Sequence, residues 1–315
     1  MNTRDIIALS MVKGIGNAFI KKNINQIVMS SSVESFVSSA NIEVDDSYEP
    51  SRFLKRADSI IKECQDKGYK IVNISESSYP ASLKAISDPP AVLYMLGDES
   101  LLEKPVAIIG TRHSSNLGNR IAERLGKHFS NHFSICNGLV EGIDEHAIYV
   151  DGHIIHNAVG VISGGLNYTD TCTASHAAII KDVLDAGGLI VSEFEPTQKE
   201  DQFSGSKVSR IQAGLSLGLI LVQSSIDGGS KYTIKAFGKL NRTLGVVHFP
   251  SNEEYKTDTF SANREIVENG YPGIANLIGL KSTTGLVIKD LVIIESQKDY
   301  ALFKAKIEEA AISLW

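Results

Sequence analysis

The sequence predicts an α/β protein: an extended Rossmann-like fold with a mainly parallel sheet, joined to a small N-terminal helical domain. Three observations carry this. From residue 105, short apolar runs alternate with segments of helical spacing. The runs (VAIIG, FSIC, NAVGVI, GLIVS, LGLILV and LGVV) are nearly continuous in apolar residues, the pattern of parallel strands buried on both faces. The loops after them are rich in Gly, Ser, Thr and Asn, as expected where an open sheet binds ligands beyond the carboxyl ends of its strands.

Taken in order, residues 1–45 read as the small helical domain. DIIALSMV has helical apolar spacing and KGIG breaks it. GIG followed by AFIKKNI resembles half of a helix-hairpin-helix, and equally reads as a glycine turn between two packed helices. Residues 46–104 read as a linker and a lead-in to the sheet: a polar stretch with Pro50, a helix around 51–67, a strand in GYKIVNISES, and an irregular connector. Pro80, Pro89 and Pro90 interrupt regular structure there, and VLYMLGD adds a short strand and a turn. Residues 105–275 carry the strand–helix alternation of the Rossmann-like domain. Residues 276–315 form a C-terminal extension, TGLVIKDLVII and a charged helix, with no clear winged helix.

Composition narrows the class. At 315 residues the chain is long for one domain. No run of about 18 apolar residues is present, so no membrane span is expected. The N-terminus lacks the features of a signal peptide. Cys64, Cys136 and Cys172 form no CxxC pair, which reads as free thiols in a reducing cytoplasm. The net charge of −6 argues against a generic nucleic-acid coat but leaves room for a local basic groove.

The strand-end loops are the expected binding edge for a phosphorylated ligand. Small residues let backbone N–H groups approach an anion, and helix N-termini add positive partial charge. The expected phosphate or DNA contacts are Gly110, Thr111, Arg112, His113 and Ser114 after the first strand, and Gly138 and Gly164 after the next two. Lys207 and Arg210 lie before IQAGLSLG, and Gly228, Gly229, Lys231 and Thr233 follow the fifth strand. Arg112 offers a guanidinium fork for a phosphate; its competing role is a salt bridge to Glu141 or Asp144. Phe203 is the nearest aromatic for base stacking. His153 and His156 in HIIH are three apart, but no third ligand accompanies them, and no metal or cofactor is expected. P-loop, GxGxxG and G-x-S-x-G motifs are missing. No nucleophile–base–orienter set assembles, so no catalytic residue is assigned.

In this order and spacing the motifs resemble the DNA-processing protein A (DprA/Smf) family. YPASLKAISDPPAVLYMLGD is similar to its lead-in, VAIIGTRHSSNLG to its first strand and G-[ST]-R loop, and CNGLVEGIDEHA to its S-G-x-A-x-G-I-D-x-x-A-H. ISGGLNYT, GGLIVSEFEP, SKVSRIQAGLS, DGGSKYTIKAFGKLNRTLGVVHFP and SANREIVENGY resemble its later blocks. The resemblance spans roughly residues 79–271. It implies a SLOG-type Rossmann fold, single-stranded DNA binding in a basic pocket, loading of a RecA-type recombinase, a homodimer, and roles in natural transformation or recombination. It implies no established catalytic activity. The departures are specific. Val208 and Ser209 replace the Arg and Asn of R-N-R while Arg210 is kept. Ile148 stands where the family has His, and Gln223-Ser224 replaces Glu-Ala. The same crevice suits a second ligand class: a small nucleotide, bound or hydrolysed as in SLOG relatives, with a sensor role in phage defence. A third reading is a partner-binding scaffold that has lost its ligand.

Overall fold

The computed structural model describes residues 1–45, 47–201 and 204–312. The strands among the described residues are β1 (Lys70–Asn73), β2 (Val92–Gly97), β3 (Pro105–Gly110), β4 (Ser134–Asn137), β5 (Tyr149–Val150), β6 (His153–Ile154), β7 (Ala158–Val161), β8 (Leu189–Ser192), β9 (Gly218–Gln223), β10 (Thr243–Val247) and β11 (Asp290–Ile294), and the six apolar runs form β3, β4, β7, β8, β9 and β10. Among the described residues nine of them form one sheet in the order β1-β2-β8-β7-β4-β3-β9-β10-β11. From β8 to β11 all neighbours are parallel. β1 and β2 add an antiparallel edge. Every residue of β4, β7, β8, β9 and β10 is buried, so both faces are covered, as continuous apolar runs require.

The sheet extends past the span expected of it, 105–275, at both edges. β11 pairs with β10 from Thr243↔Asp290 to Val247↔Ile294. The HIIH segment lies in and just after a β5–β6 hairpin, not on a helix, and His153 and His156 are both exposed.

The N-terminal piece comprises α1 (Thr3–Ser10), α2 (Asn17–Met29) and α3 (Val33–Ser39), and the linker helix α4 (Pro50–Lys67) lies against it. α1 starts at a capping box: Asn2 accepts from the Asp5 N–H, and Asp5 from the Asn2 N–H. α4 starts with Pro50 and ends at Gly68, whose φ of 71° is left-handed. The buried faces of α1 to α4 join the same apolar core as the sheet. Polar ties reinforce the seat. Lys21 donates to the Ile86 carbonyl at 2.7 Å, and Arg56 pairs with Glu195 at 2.5 Å.

Two groups of helices cover the sheet. α5 (Ala81–Lys84) packs on a later helix. α6 (Asn116–Phe129) and α7 (Ile143–Ile148) pack on each other; α8 (Tyr168–Thr171) and α9 (Ala174–Asp185) precede β8; α10 (Ser204–Leu215) and α11 (Ser230–Phe237) flank β9. α12 (Ser261–Asn269) and α13 (Tyr271–Leu277) follow β10, and α14 (Gln297–Ile312) closes the described chain. Phe129 of α6 meets Phe303 of α14 edge-on at 5.6 Å, an aromatic geometry worth about 0.5–1.5 kcal/mol beyond area burial. α10, α11 and α5 form the second group. Arg242 holds it to the sheet: its guanidinium donates to the carbonyls of Ala213, Gly214, Ser216 and Ser82 at 2.7–3.0 Å. The cation thus sits at the C-terminus of α10, where carbonyls collect negative partial charge. Burial pulls its pKa down to about 10.

Candidate phosphate-binding site

The carboxyl end of β3 places its loop at the switch point, between β4 on one side and β9 on the other. The loop is pinned from beneath. Thr111 N–H donates to the Gln223 carbonyl at 2.8 Å, and the Gln223 side-chain oxygen accepts from Ser115 N–H at 3.0 Å. Ile143 N–H donates to the Thr111 carbonyl at 3.2 Å, which ties in the loop after β4. In that second loop Leu139 has a φ of 54°, a strained state for a branched side chain. The Asn137 side chain holds it by accepting the Leu139 N–H at 3.0 Å.

The N-terminus of α6 is closed to a ligand. Glu254 accepts the Leu117 N–H at 3.0 Å, and the Ser115 hydroxyl caps the Gly118 N–H at 3.2 Å. The Leu117 N–H first, and then the Ser115 hydroxyl, hold the Glu254 carboxyl below its usual range. The expectation that this helix end meets a phosphate is therefore corrected: the chain's own carboxylate occupies it. Gly110 also plays another part. A Cβ there would strike Ile143 and the Gln223 carbonyl, so the glycine allows close packing beneath the loop instead of ligand approach. The open cation on the loop is Arg112. It is exposed, and among the described residues it makes no hydrogen bond or ion pair, with Glu141, Asp144 or any other group. His113 is exposed beside it, its N–H donating to the Thr111 hydroxyl, and Ser114 is half-buried.

Arg112 lines a cavity of about 450 Å³ together with Glu141, Ser163, His176, Glu200 and Gly205, among others. Gly138 and Gly164 do not line it but touch residues around it: the Gly138 carbonyl meets His176 Nε2 at 3.1 Å, and a Cβ on Gly164 would press on Cys172 Sγ. Glu200 accepts from Ser163 Oγ at 2.8 Å and Thr173 N–H at 2.7 Å, and faces His176 Nδ1 at 3.4 Å. Burial raises the Glu200 pKa, but these donors outweigh it and leave the carboxyl below its usual range. Burial pushes the Cys172 thiol up to about 11, so the thiol is protonated at neutral pH.

Asp144 is buried behind the cavity, and its carboxylate accepts the Gly138 N–H at 2.8 Å. Burial raises its pKa to about 7, against the Gly138 N–H and the Arg112 charge, which act to lower it. The sign of its effect on stability follows. Between about pH 4 and 7 the folded chain holds a proton that the unfolded chain has released, so stability falls as pH rises through that window. Every tenfold difference in proton affinity between the folded and unfolded chain is worth about 1.4 kcal/mol. Wild type is expected to lose several degrees of melting temperature between pH 5 and 7.5, and Asp144→Asn to lose much less. Parallel melting curves for the two proteins would remove Asp144 as the cause.

Lys207 and Arg210 do not join Arg112. They line a second cavity of about 500 Å³ with Asn17, Asp88, Tyr94 and Glu193, and the first turn of α10 separates the two. Lys207 is exposed. Arg210 is committed: it forms a bidentate pair with Glu193 at 2.7 and 2.6 Å, and binds Asp88 at 3.0 Å. Burial works against its charge, yet the two carboxylates raise its pKa. The expectation of Arg210 as a free phosphate ligand is corrected to a half-buried ion pair.

Gly228, Gly229, Lys231 and Thr233 lie at the start of α11, beyond β9. Among the described residues this helix end has no side-chain cap and the buried Ser230 hydroxyl has no partner. Lys231 lies over the Tyr232 ring at 5.8 Å. Thr233 is buried at 4% exposure and is not a surface contact. Phe203 falls outside the described residues. The sequence reading missed Cys172, His176 and Glu200. Their signal was position: TCTASH opens the helix after the β7 turn, and Glu200 follows β8.

The family model described as DNA recombination-mediator protein A matches residues 70–276, more than half of the chain. The chain belongs to this family. Relatives include DNA processing protein DprA of Bacillus subtilis, 31% identical over 187 residues, covering 58% of this chain and 61% of that protein. Protein Smf of Synechocystis is 28% identical over 244 residues, covering 76% of this chain and 54% of that protein. The chain thus spans between about half and three-fifths of the length of these relatives. Among solved structures, DprA of Streptococcus pneumoniae superposes with a TM-score of 0.69 at 20% identity, over 96% of this chain and 98% of that one. DprA of Helicobacter pylori, described for its single-stranded DNA binding mode, gives 0.55 at 24% identity, over 67% and 94%. The family fold accounts for the Rossmann-like sheet.

Proposed function

We propose that this recombination-mediator family member binds single-stranded DNA and acts in DNA processing and recombination, with Arg112 as its principal phosphate contact. One observation carries the reading: Arg112 is exposed, and among the described residues its guanidinium has no hydrogen-bond or ion-pair partner, on a loop held by the hydrogen bonds of Thr111 and Ser115. A charge left over in that way at the switch point of an open sheet is placed for an anionic ligand. His113, Ser114, Lys207, Lys231 and the Gly228–Gly229 turn supply further polar surface along the strand ends. The single-stranded DNA binding named for the Helicobacter relative supports the choice of ligand. Loading of a RecA-type recombinase, action as a homodimer and a cytoplasmic location belong to the same reading; three free cysteines accord with a reducing compartment.

A small nucleotide is the second reading, and the size of the first cavity favours it: about 450 Å³ is nucleotide-sized. A salt-titrated binding assay separates the two. Single-stranded DNA is expected to bind better than duplex or mononucleotide, with affinity falling linearly in log salt. Preference for the mononucleotide would favour the second reading, and binding to none of them would overturn both.

A further inference from the structure

The first cavity contains a cluster that phosphate binding does not use. Cys172 Sγ, one His176 ring nitrogen and one Glu200 oxygen lie within 4.8 Å of one another. The hydrogen bonding around His176 makes this arrangement informative. Nε2 lies 3.1 Å from the Gly138 carbonyl, which can only accept, so Nε2 carries the proton. Nδ1 then points a lone pair at a Glu200 oxygen 3.4 Å away. That oxygen is a carboxylate acceptor, already receiving the Ser163 hydroxyl. Two acceptors held face to face in a largely buried site need a cation between them, either a proton on Nδ1 or a metal ion. Donation of the remote ring N–H to a backbone carbonyl is also the usual outer contact of a metal-bound histidine, fixing its tautomer and aim.

We propose that Cys172, His176 and Glu200 form a binding site for a zinc-class divalent cation, with a fourth position open to the cavity. Thiolate, imidazole and carboxylate together suit zinc, and three protein ligands with one open position are the arrangement of zinc sites that bind an exchangeable ligand. The donor atoms must close from their present separation to bond lengths of about 2.0–2.3 Å. Binding also displaces the Cys172 thiol proton to solvent. The gain is electrostatic. Glu141, Glu200 and Asp201 line the same cavity as Arg112, and a divalent cation there reverses the local sign that would otherwise repel a phosphate. The open position then takes a phosphate oxygen beside the Arg112 guanidinium. That last step rests on the phosphate-binding reading above; the metal site does not. It departs from the sequence expectation of no metal, which rested on His153 and His156 and on the spacing of the three cysteines.

The test uses the full chain, stripped with chelator and reconstituted with zinc or cobalt. One equivalent of zinc is expected to remain after gel filtration. The cobalt form is expected to show a thiolate-to-cobalt charge-transfer band that Cys172→Ser abolishes. His176→Gln is expected to weaken cobalt binding at least tenfold. Zinc is expected to raise the melting temperature of wild type but not of His176→Gln, which also verifies that the variant folds. Inorganic phosphate added to the cobalt form is expected to shift the spectrum. No stoichiometric zinc in wild type, or equal binding by wild type and His176→Gln, would overturn the site and leave an imidazolium–carboxylate pair in its place. A metal-loaded spectrum unmoved by phosphate would overturn the phosphate step. DNA binding by metal-free protein together with no zinc would remove this inference while the functional reading stands.

Discussion

Arg112→Ala is expected to weaken single-stranded DNA binding by about ten- to a hundredfold and to leave the melting temperature unchanged. The two halves come from one fact. The guanidinium makes no hydrogen bond or ion pair with the described residues, so truncation breaks nothing in the folded chain, and exposed substitutions of that kind usually stay within about 0.5 kcal/mol. A charge-assisted phosphate contact contributes about 1.5–3 kcal/mol, and each 1.4 kcal/mol is a factor of about ten in affinity. Removing one phosphate contact should also lower the slope of log affinity against log salt by about one. Fluorescence anisotropy across a salt series and a thermal melt measure both halves. Unchanged affinity would withdraw Arg112 from the site. An affinity loss accompanied by an equal loss of stability would make it a structural residue.

Arg210→Ala is expected to do the reverse, destabilising the fold by roughly 3–5 kcal/mol. Arg210 and Glu193 are 15% and 10% exposed in their side chains and form two hydrogen bonds. Removing the cation leaves a carboxylate in a site that no longer compensates it, the costly way to break a buried pair. Asn17 lies within 3.4 Å of the same carboxylate, so the strain reaches the contact between the N-terminal helices and the sheet. Replacing both partners together, Arg210→Leu with Glu193→Leu, should recover most of the loss, because the uncompensated charge goes with its partner. Chemical denaturation of the two single variants and the double variant reads this out. A single variant of wild-type stability that fails to bind DNA would return Arg210 to the ligand.

The two arginines show why a motif position and a site residue differ. Both stand at family positions, and both read in the sequence as phosphate contacts. Arg210 finds Glu193 seventeen residues back and Asp88 from the lead-in segment. No spacing rule joins those three; α10, the end of β8 and the proline-rich connector meet only once the sheet has formed. Among the described residues Arg112 meets no such partner, and Glu254 and Gln223 spend their bonds on the N-terminus of α6 and on the loop backbone. The cation cluster was hidden for the same reason. Cys172 and His176 are four apart at the start of α9, and Glu200 comes after β8, where the loop drew notice for its basic residues.

The strands of the sheet and their parallel class were legible in the order of residues. Burial on both faces forces continuous apolar runs, and close turns force small residues, so both leave local marks in the chain. The sharing out of charges left no such mark and emerged only from the folded arrangement. Which helix end stays open, which arginine is consumed and which histidine faces a carboxylate depend on groups distant in sequence competing for the same few hydrogen bonds.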